Sequence, residues 1–148
     1  MQPVGPALAD SAAPTAFAGT PMEGAAAAAV AHAPYLRRLI ERRPDLLDLV
    51  DVAWAERLIA TALADAAAIA TEPPPLEDGM RTLRRAKDAV HLATALADLS
   101  RAWPLNRVTG ALTDFADAAL RAAVAMGARE RGERGQLTPA SFDGECGP

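Results

Sequence analysis

Apolar residues recur along this chain at helical rather than strand spacing, and the periodicity begins near Met22. The run Ala25–Ala29 favours a helix but offers little to bury, so close packing on a neighbour is expected. Pro34 restarts the chain at a position where its fixed φ suits a first helical turn. Tyr35, Leu36, Leu39 and Ile40 then line one side, with Arg37, Arg38, Glu41 and Arg42 on the other. Arg43-Pro44-Asp45 interrupts this helix and opens another turn, where the Asp45 carboxylate complements the helix dipole. Leu46, Leu47, Leu49 and Val50 form an apolar turn expected to dock on the helix before it.

Three longer elements follow. From Asp51 to Thr71 the apolar line is Ala55, Leu58, Ile59, Ala62, Ala66 and Ile69. Glu72-Pro73-Pro74-Pro75 ends it, since three prolines lack the amide donors a helix needs. Asp78 or Gly79 precedes a helix from Met80 to about Ala102, basic in its first half and apolar nearly all round from Ala89 to Leu99. Trp103-Pro104 closes it and opens Leu105 to Met126, where Val108, Leu112, Phe115, Ala119, Ala123 and Met126 make one stripe. Asp117 and Arg121 on this helix are spaced to pair.

Composition sharpens the fold class. Hydrophobic residues are 51% of the 148, and 37 of them are Ala, the strongest helix former, while strand-favouring aromatics are only 4%. The expectation is an all-α bundle of four to five helices over 22–127, with a disordered leader at 1–21 and a flexible tail at 128–148. So much Ala leaves a thin margin over conformational entropy, so modest stability is expected.

Charge and cysteine exclude several function classes. A net charge of −4 disfavours nucleic acid, whose binders present a basic face to phosphates. A lone Cys146 forms no internal disulfide and fits a reducing cytoplasm. The longest uncharged apolar run, Ala25–Ala31, is far short of the roughly 20 residues of a membrane span. The leader has no Lys or Arg and is broken by prolines, unlike a secretory signal.

Candidate chemistry is sparse. His91 lies mid-helix, with Asp88 as its nearest possible partner, and reads as structural; His32 is weaker still. Asp114 and Asp117, with Asp98, read as a solvated face rather than an acid–base pair or metal site. Trp54 and Trp103 read as core anchors. No catalytic, cofactor-binding or metal residue is assigned. The strongest functional feature is the cluster Arg81, Arg84, Arg85 and Lys87, whose guanidinium forks suit an acidic docking partner or domain. Positive charge near a helix N-terminus opposes the dipole, which favours a docking role.

Several stretches together resemble a known family. Ala33-Pro34-Tyr35-Leu36-Arg37-Arg38-Leu39-Ile40-Glu41-Arg42-Arg43-Pro44 is followed by Leu83-Arg84-Arg85-Ala86-Lys87. Ala95-Leu96-Ala97-Asp98-Leu99 and Val108-Thr109-Gly110-Ala111-Leu112-Thr113-Asp114-Phe115-Ala116-Asp117 come next. The succession, over about residues 30–126, resembles the leading helical segment of the bacterial bifunctional glutamine-synthetase adenylyltransferase/adenylyl-removing enzymes. The resemblance implies a parent with two nucleotidyltransferase domains. One removes AMP from a tyrosine of glutamine synthetase by phosphorolysis. The other attaches AMP from ATP with magnesium, and the PII signalling protein and glutamine set the balance.

The family's Gly-rich strand-turn motif and Asp-x-Asp metal pair do not occur in this chain, so no catalytic residue carries over. The expectation is an N-terminal helical fragment, inactive alone, that supports a catalytic domain missing here. On this view the apolar Ala89–Leu99 half-helix and the basic cluster are faces prepared for that domain. The alternative is a stand-alone helical module docking an acidic partner; a small enzyme using Asp114, Asp117 and His91 is disfavoured.

Overall fold

A computed structural model describes residues 14–135 and contains five α-helices and two short 3-10 turns, with no strand among the described residues. The helices are α1 (Glu23–His32), α2 (Pro34–Arg42), α3 (Trp54–Thr71), α4 (Leu76–Leu99) and α5 (Leu105–Glu133); the 3-10 turns are Thr15–Phe17 and Pro44–Leu47. Prolines set most of the boundaries. Pro34 and Pro44 take first-turn positions, and Pro75 and Pro104 cap α4 and α5 from extended backbone. Helices α3, α4 and α5 pack on one another as the central bundle, and α1 and α2 pair and lie against α4. No helix among the described residues is long and apolar enough to cross a membrane.

The core divides along the bundle. At one end a large cluster gathers Phe17, Leu39, Trp54, Val90, Leu92 and Leu96, all essentially without solvent exposure. At the other, Ala66, Ile69, Leu83, Ala122 and Met126 form a smaller one. Alanine lets backbones approach closely here. Gly79 goes further: a Cβ at that position would stand 2.0 Å from the sulfur of Met126. Two buried polar groups are satisfied by nearby carbonyls. The Trp54 indole N–H donates to the Leu46 carbonyl at 2.7 Å, and the buried Thr94 hydroxyl donates back to the Val90 carbonyl at 2.7 Å.

Four expectations need correction. The leader is not unstructured throughout: residues 1–13 lie outside the described residues, but from Pro14 onward the chain is folded. The turn at Thr15–Phe17 seats Phe17 against Trp54, edge to face at 5.5 Å between ring centroids. The Thr20 hydroxyl donates to the Phe17 carbonyl, and the Gly19 amide, at a positive φ of 73°, donates to Glu23. One aromatic ring among Pro, Ala, Gly and Thr therefore anchors a segment whose composition reads as loop.

At the other end α5 continues past Met126 to Glu133. The Arg-Glu-rich sequence supplies the pairs Arg129–Glu133 and Glu130–Arg134 at i, i+4, and Arg129 also donates to the Pro73 carbonyl. Gly135, at φ 66°, stands where the helix ends. The expected tail beyond it, 136–148, lies outside the described residues.

The third correction concerns α4. It starts at Leu76 rather than Met80, because Pro75 accepts the amides of Asp78 and Gly79 as the helix opens. Its apolar half is also not a face awaiting another domain. Ala89, Val90, Leu92, Ala93, Thr94, Leu96 and Ala97 are all buried within this chain.

Last, three apolar residues expected inside are outside. Leu49 is 84% exposed in a left-handed backbone (φ 54°), and its carbonyl accepts from Arg57. Leu112 is 38% exposed, and Ala122 rather than Ala123 faces the core.

Candidate functional site

The basic cluster sits on the first half of α4. Because the helix begins at Leu76, Glu77 and Asp78 occupy its first turn and complement the dipole, and Arg81 falls in the second. The local conflict inferred from the sequence is thereby removed. Arg81 pairs with Asp78 at 3.1 Å across i, i+3. Arg85 reaches Asp45 at 3.5 Å. Arg84 and Lys87 are exposed and make no ion pair among the described residues. The four residues therefore do not converge on one ligand. Two are bound into the chain, and two point charge at solvent.

A residue outside the cluster anchors its Arg85 end. Arg43, in the break between α2 and the second 3-10 turn, donates twice to Asp45, at 2.9 and 2.7 Å. It lies 3.7 Å from Asp88 and also donates to the Arg85 carbonyl at 3.4 Å. These hydrogen bonds hold the Asp45 carboxyl below its ordinary range and the Arg43 guanidinium above its own. The Arg43–Asp45 spacing was visible in the sequence. The tie to Asp88, on α4, was not. Beside this network is a cleft of about 220 Å³ walled by Leu58, Thr61, Asp65 and Ala86.

The other candidates separate. Asp98, Asp114 and Asp117 are all exposed, and among the described residues no group of three His, Cys, Asp or Glu is placed to hold a metal ion. His91 is partnered not by Asp88 but by the Tyr35 hydroxyl, 3.0 Å from its Nδ1. Burial, followed by the nearby Lys87 charge, lowers the His91 pKa, and burial raises that of Tyr35. A neutral imidazole whose Nδ1 accepts a hydrogen bond from the Tyr35 O–H fits both directions. His32 is exposed at the end of α1. No ion pair joins Asp117 to Arg121.

Trp54 is a core anchor, as expected, and Trp103 is 7% exposed. The Trp103 N–H donates to Glu56 at 3.3 Å, while Arg107 donates to the same carboxylate oxygen and lies 4.2 Å over the indole ring. The second Glu56 oxygen is buried without a partner among the described residues, at the wall of an α3/α5 cleft of about 400 Å³. Trp103 and Arg107 are four positions apart, but sequence spacing gave no signal for their shared partner Glu56 on α3.

A three-helix bundle with a two-helix cap defines an all-α helical domain. The sequence pattern of the glutamate-ammonia ligase adenylyltransferase family matches residues 24–146, and the chain belongs to that family. It is similar to the bifunctional glutamine synthetase adenylyltransferase/adenylyl-removing enzyme of Caulobacter vibrioides, at 39% identity over 160 aligned positions covering all of this chain and 16% of the relative. The enzymes of the same name from Bradyrhizobium diazoefficiens and Xanthobacter autotrophicus are 36% and 41% identical over 106 positions, 72% of this chain and 11% of each relative. The chain thus spans 11–16% of the length of these relatives. No solved structure matches it.

Proposed function

We propose that this chain is the N-terminal helical portion of a cytoplasmic enzyme that adenylylates and deadenylylates glutamine synthetase, and that it supports the catalytic domains without turning over substrate itself. The observation that carries this reading is the family match across residues 24–146, in a chain one sixth or less of its relatives' length. ATP and magnesium would be bound by the remaining polypeptide, and glutamine synthetase and the PII protein would be partners of the whole. Within the chain, Arg81, Arg84, Arg85 and Lys87 form the docking strip. Arg84 and Lys87 supply its unspent charge, while Arg81 and Arg85 are held in place by Asp78 and Asp45.

The purified chain is expected neither to adenylylate nor to deadenylylate glutamine synthetase, and turnover with ATP and magnesium would overturn the supporting role. Arg84→Glu combined with Lys87→Glu is expected to leave helicity unchanged by circular dichroism. The same pair should weaken association with the remaining polypeptide of the family by about tenfold, in line with loss of charge at an interface. Unchanged association removes the strip from the interface.

A further inference from the structure

Helix α5 leaves a face unused. Leu105, Leu112, Leu120 and Val124 are 71%, 38%, 64% and 64% exposed, and the exposed Ala116 and Ala123 lie between them. At about 3.6 residues per turn these positions form one band, about a quarter-turn round the helix from the buried Val108, Phe115, Ala122 and Met126. Its polar members are Asn106, Thr109 and Thr113, and Asp117 and Arg121 border it beside Val124. The band runs for about five turns, or roughly 28 Å. An ordinary surface helix sets charges opposite its core stripe, and an uncharged band of this length on a free surface marks a contact. At Leu112 the band meets a cleft of about 370 Å³ between α2, α4 and α5, lined by Tyr35, His91, Thr94 and Asp98, so it continues into a concavity.

We infer that this band seats the apolar face of a helix from the part of the family polypeptide outside this chain. The inference rests on the function proposed above and gives that support a surface of its own, distinct from the basic strip on α4. The length of polypeptide supplies the occupant: the chain spans 16% of the Caulobacter vibrioides relative, so more than four fifths of such a protein lies outside it. Chemistry defines its kind. A band without charge offers no ionic recognition, so the occupant brings leucine- or alanine-type side chains at helical spacing, and burial of apolar area drives the contact.

The test replaces the matched stretch of the Caulobacter vibrioides relative with this chain. A single cysteine, Leu120→Cys in a Cys146→Ser background, is placed in the joined protein and in the free chain. Maleimide labelling of the peptide carrying residue 120 is followed by mass spectrometry. Labelling is expected to be roughly tenfold slower or more in the joined protein, because a docked face reacts only when it opens. Equal rates overturn the inference. So does a free chain that sediments as a dimer and becomes a monomer with Leu120→Glu, which would give the band to a second copy. Activity toward glutamine synthetase reports separately. An active joined protein with residue 120 freely labelled keeps the functional reading and loses the band; an inactive one with residue 120 protected does the reverse.

Discussion

Helices α4 and α5 are the two longest elements, and both set leucine, valine and alanine at helical spacing, yet α4 buries ten residues and α5 four. The difference lies in their neighbours. Helix α4 has α3 and α5 on one side and the α1–α2 pair on another, so its apolar half is covered on several faces. Helix α5 packs chiefly on α3 and α4, and its outer side meets solvent. Apolar content therefore does not by itself mark an interface. The half-helix at Ala89–Leu99, which reads from sequence as a surface awaiting a partner, is core, and the contact surface is on the helix whose inner stripe looked complete.

Substitutions can break this contrast or sharpen it. The largest effects belong to the α4 end of the core. Leu92→Ala and Phe17→Ala are each expected to destabilise the chain by about 2–5 kcal/mol in urea unfolding, through lost transfer energy and an unfilled cavity. A near-neutral Phe17→Ala would mean that the Thr15–Phe17 turn contributes no core. Next comes Gly79→Ala at the second cluster. The added methyl collides with the sulfur of the fully buried Met126, and the expected loss of about 1–3 kcal/mol outweighs the gain in helix propensity.

A smaller effect is expected from pH. The folded-state pKa of His91 is lowered by burial, so the folded chain binds protons less readily than the unfolded one. That contribution is fully present above the ordinary histidine pKa, about 6.5, and is lost as pH falls through the lower folded value. The melting temperature should therefore decline slightly from pH 7.5 to pH 5, and His91→Phe should flatten the decline in that window. Asp45, also lowered, titrates in a separate and more acidic window, so its loss follows only as pH falls below the ordinary carboxylate range. The smallest effect is predicted on the outer band: Leu120→Gln should change the stability of the free chain by no more than about 0.5 kcal/mol, as exposed substitutions do. A loss comparable to Leu92→Ala would erase the distinction between the two helices.

Much of the fold was legible because its determinants are local. Prolines at 34, 44, 73–75 and 104 divide the chain, and of the α3 line Ala55, Ile59, Ala62, Ala66 and Ile69 are buried as their spacing implies, while Leu58 is half-buried. The candidate site was less legible. Arg81 and Arg85 read as free charges, but each has an acid: Asp78, one turn away, and Asp45, on another segment. The Glu56–Trp103–Arg107 and Tyr35–His91 contacts join residues about fifty positions apart, and no spacing rule encodes them.

The sequence by itself determined the helical class, the breaks between helices and the family to which the chain belongs. Those follow from propensity, proline geometry and residue order, which act within a turn or two of backbone. Only the tertiary structure decided which apolar faces are covered, which arginines are already paired and where Phe17 goes. Burial and ion pairing depend on which segments meet in space, and a helix with apolar residues on more than one side does not specify which side its neighbours will take.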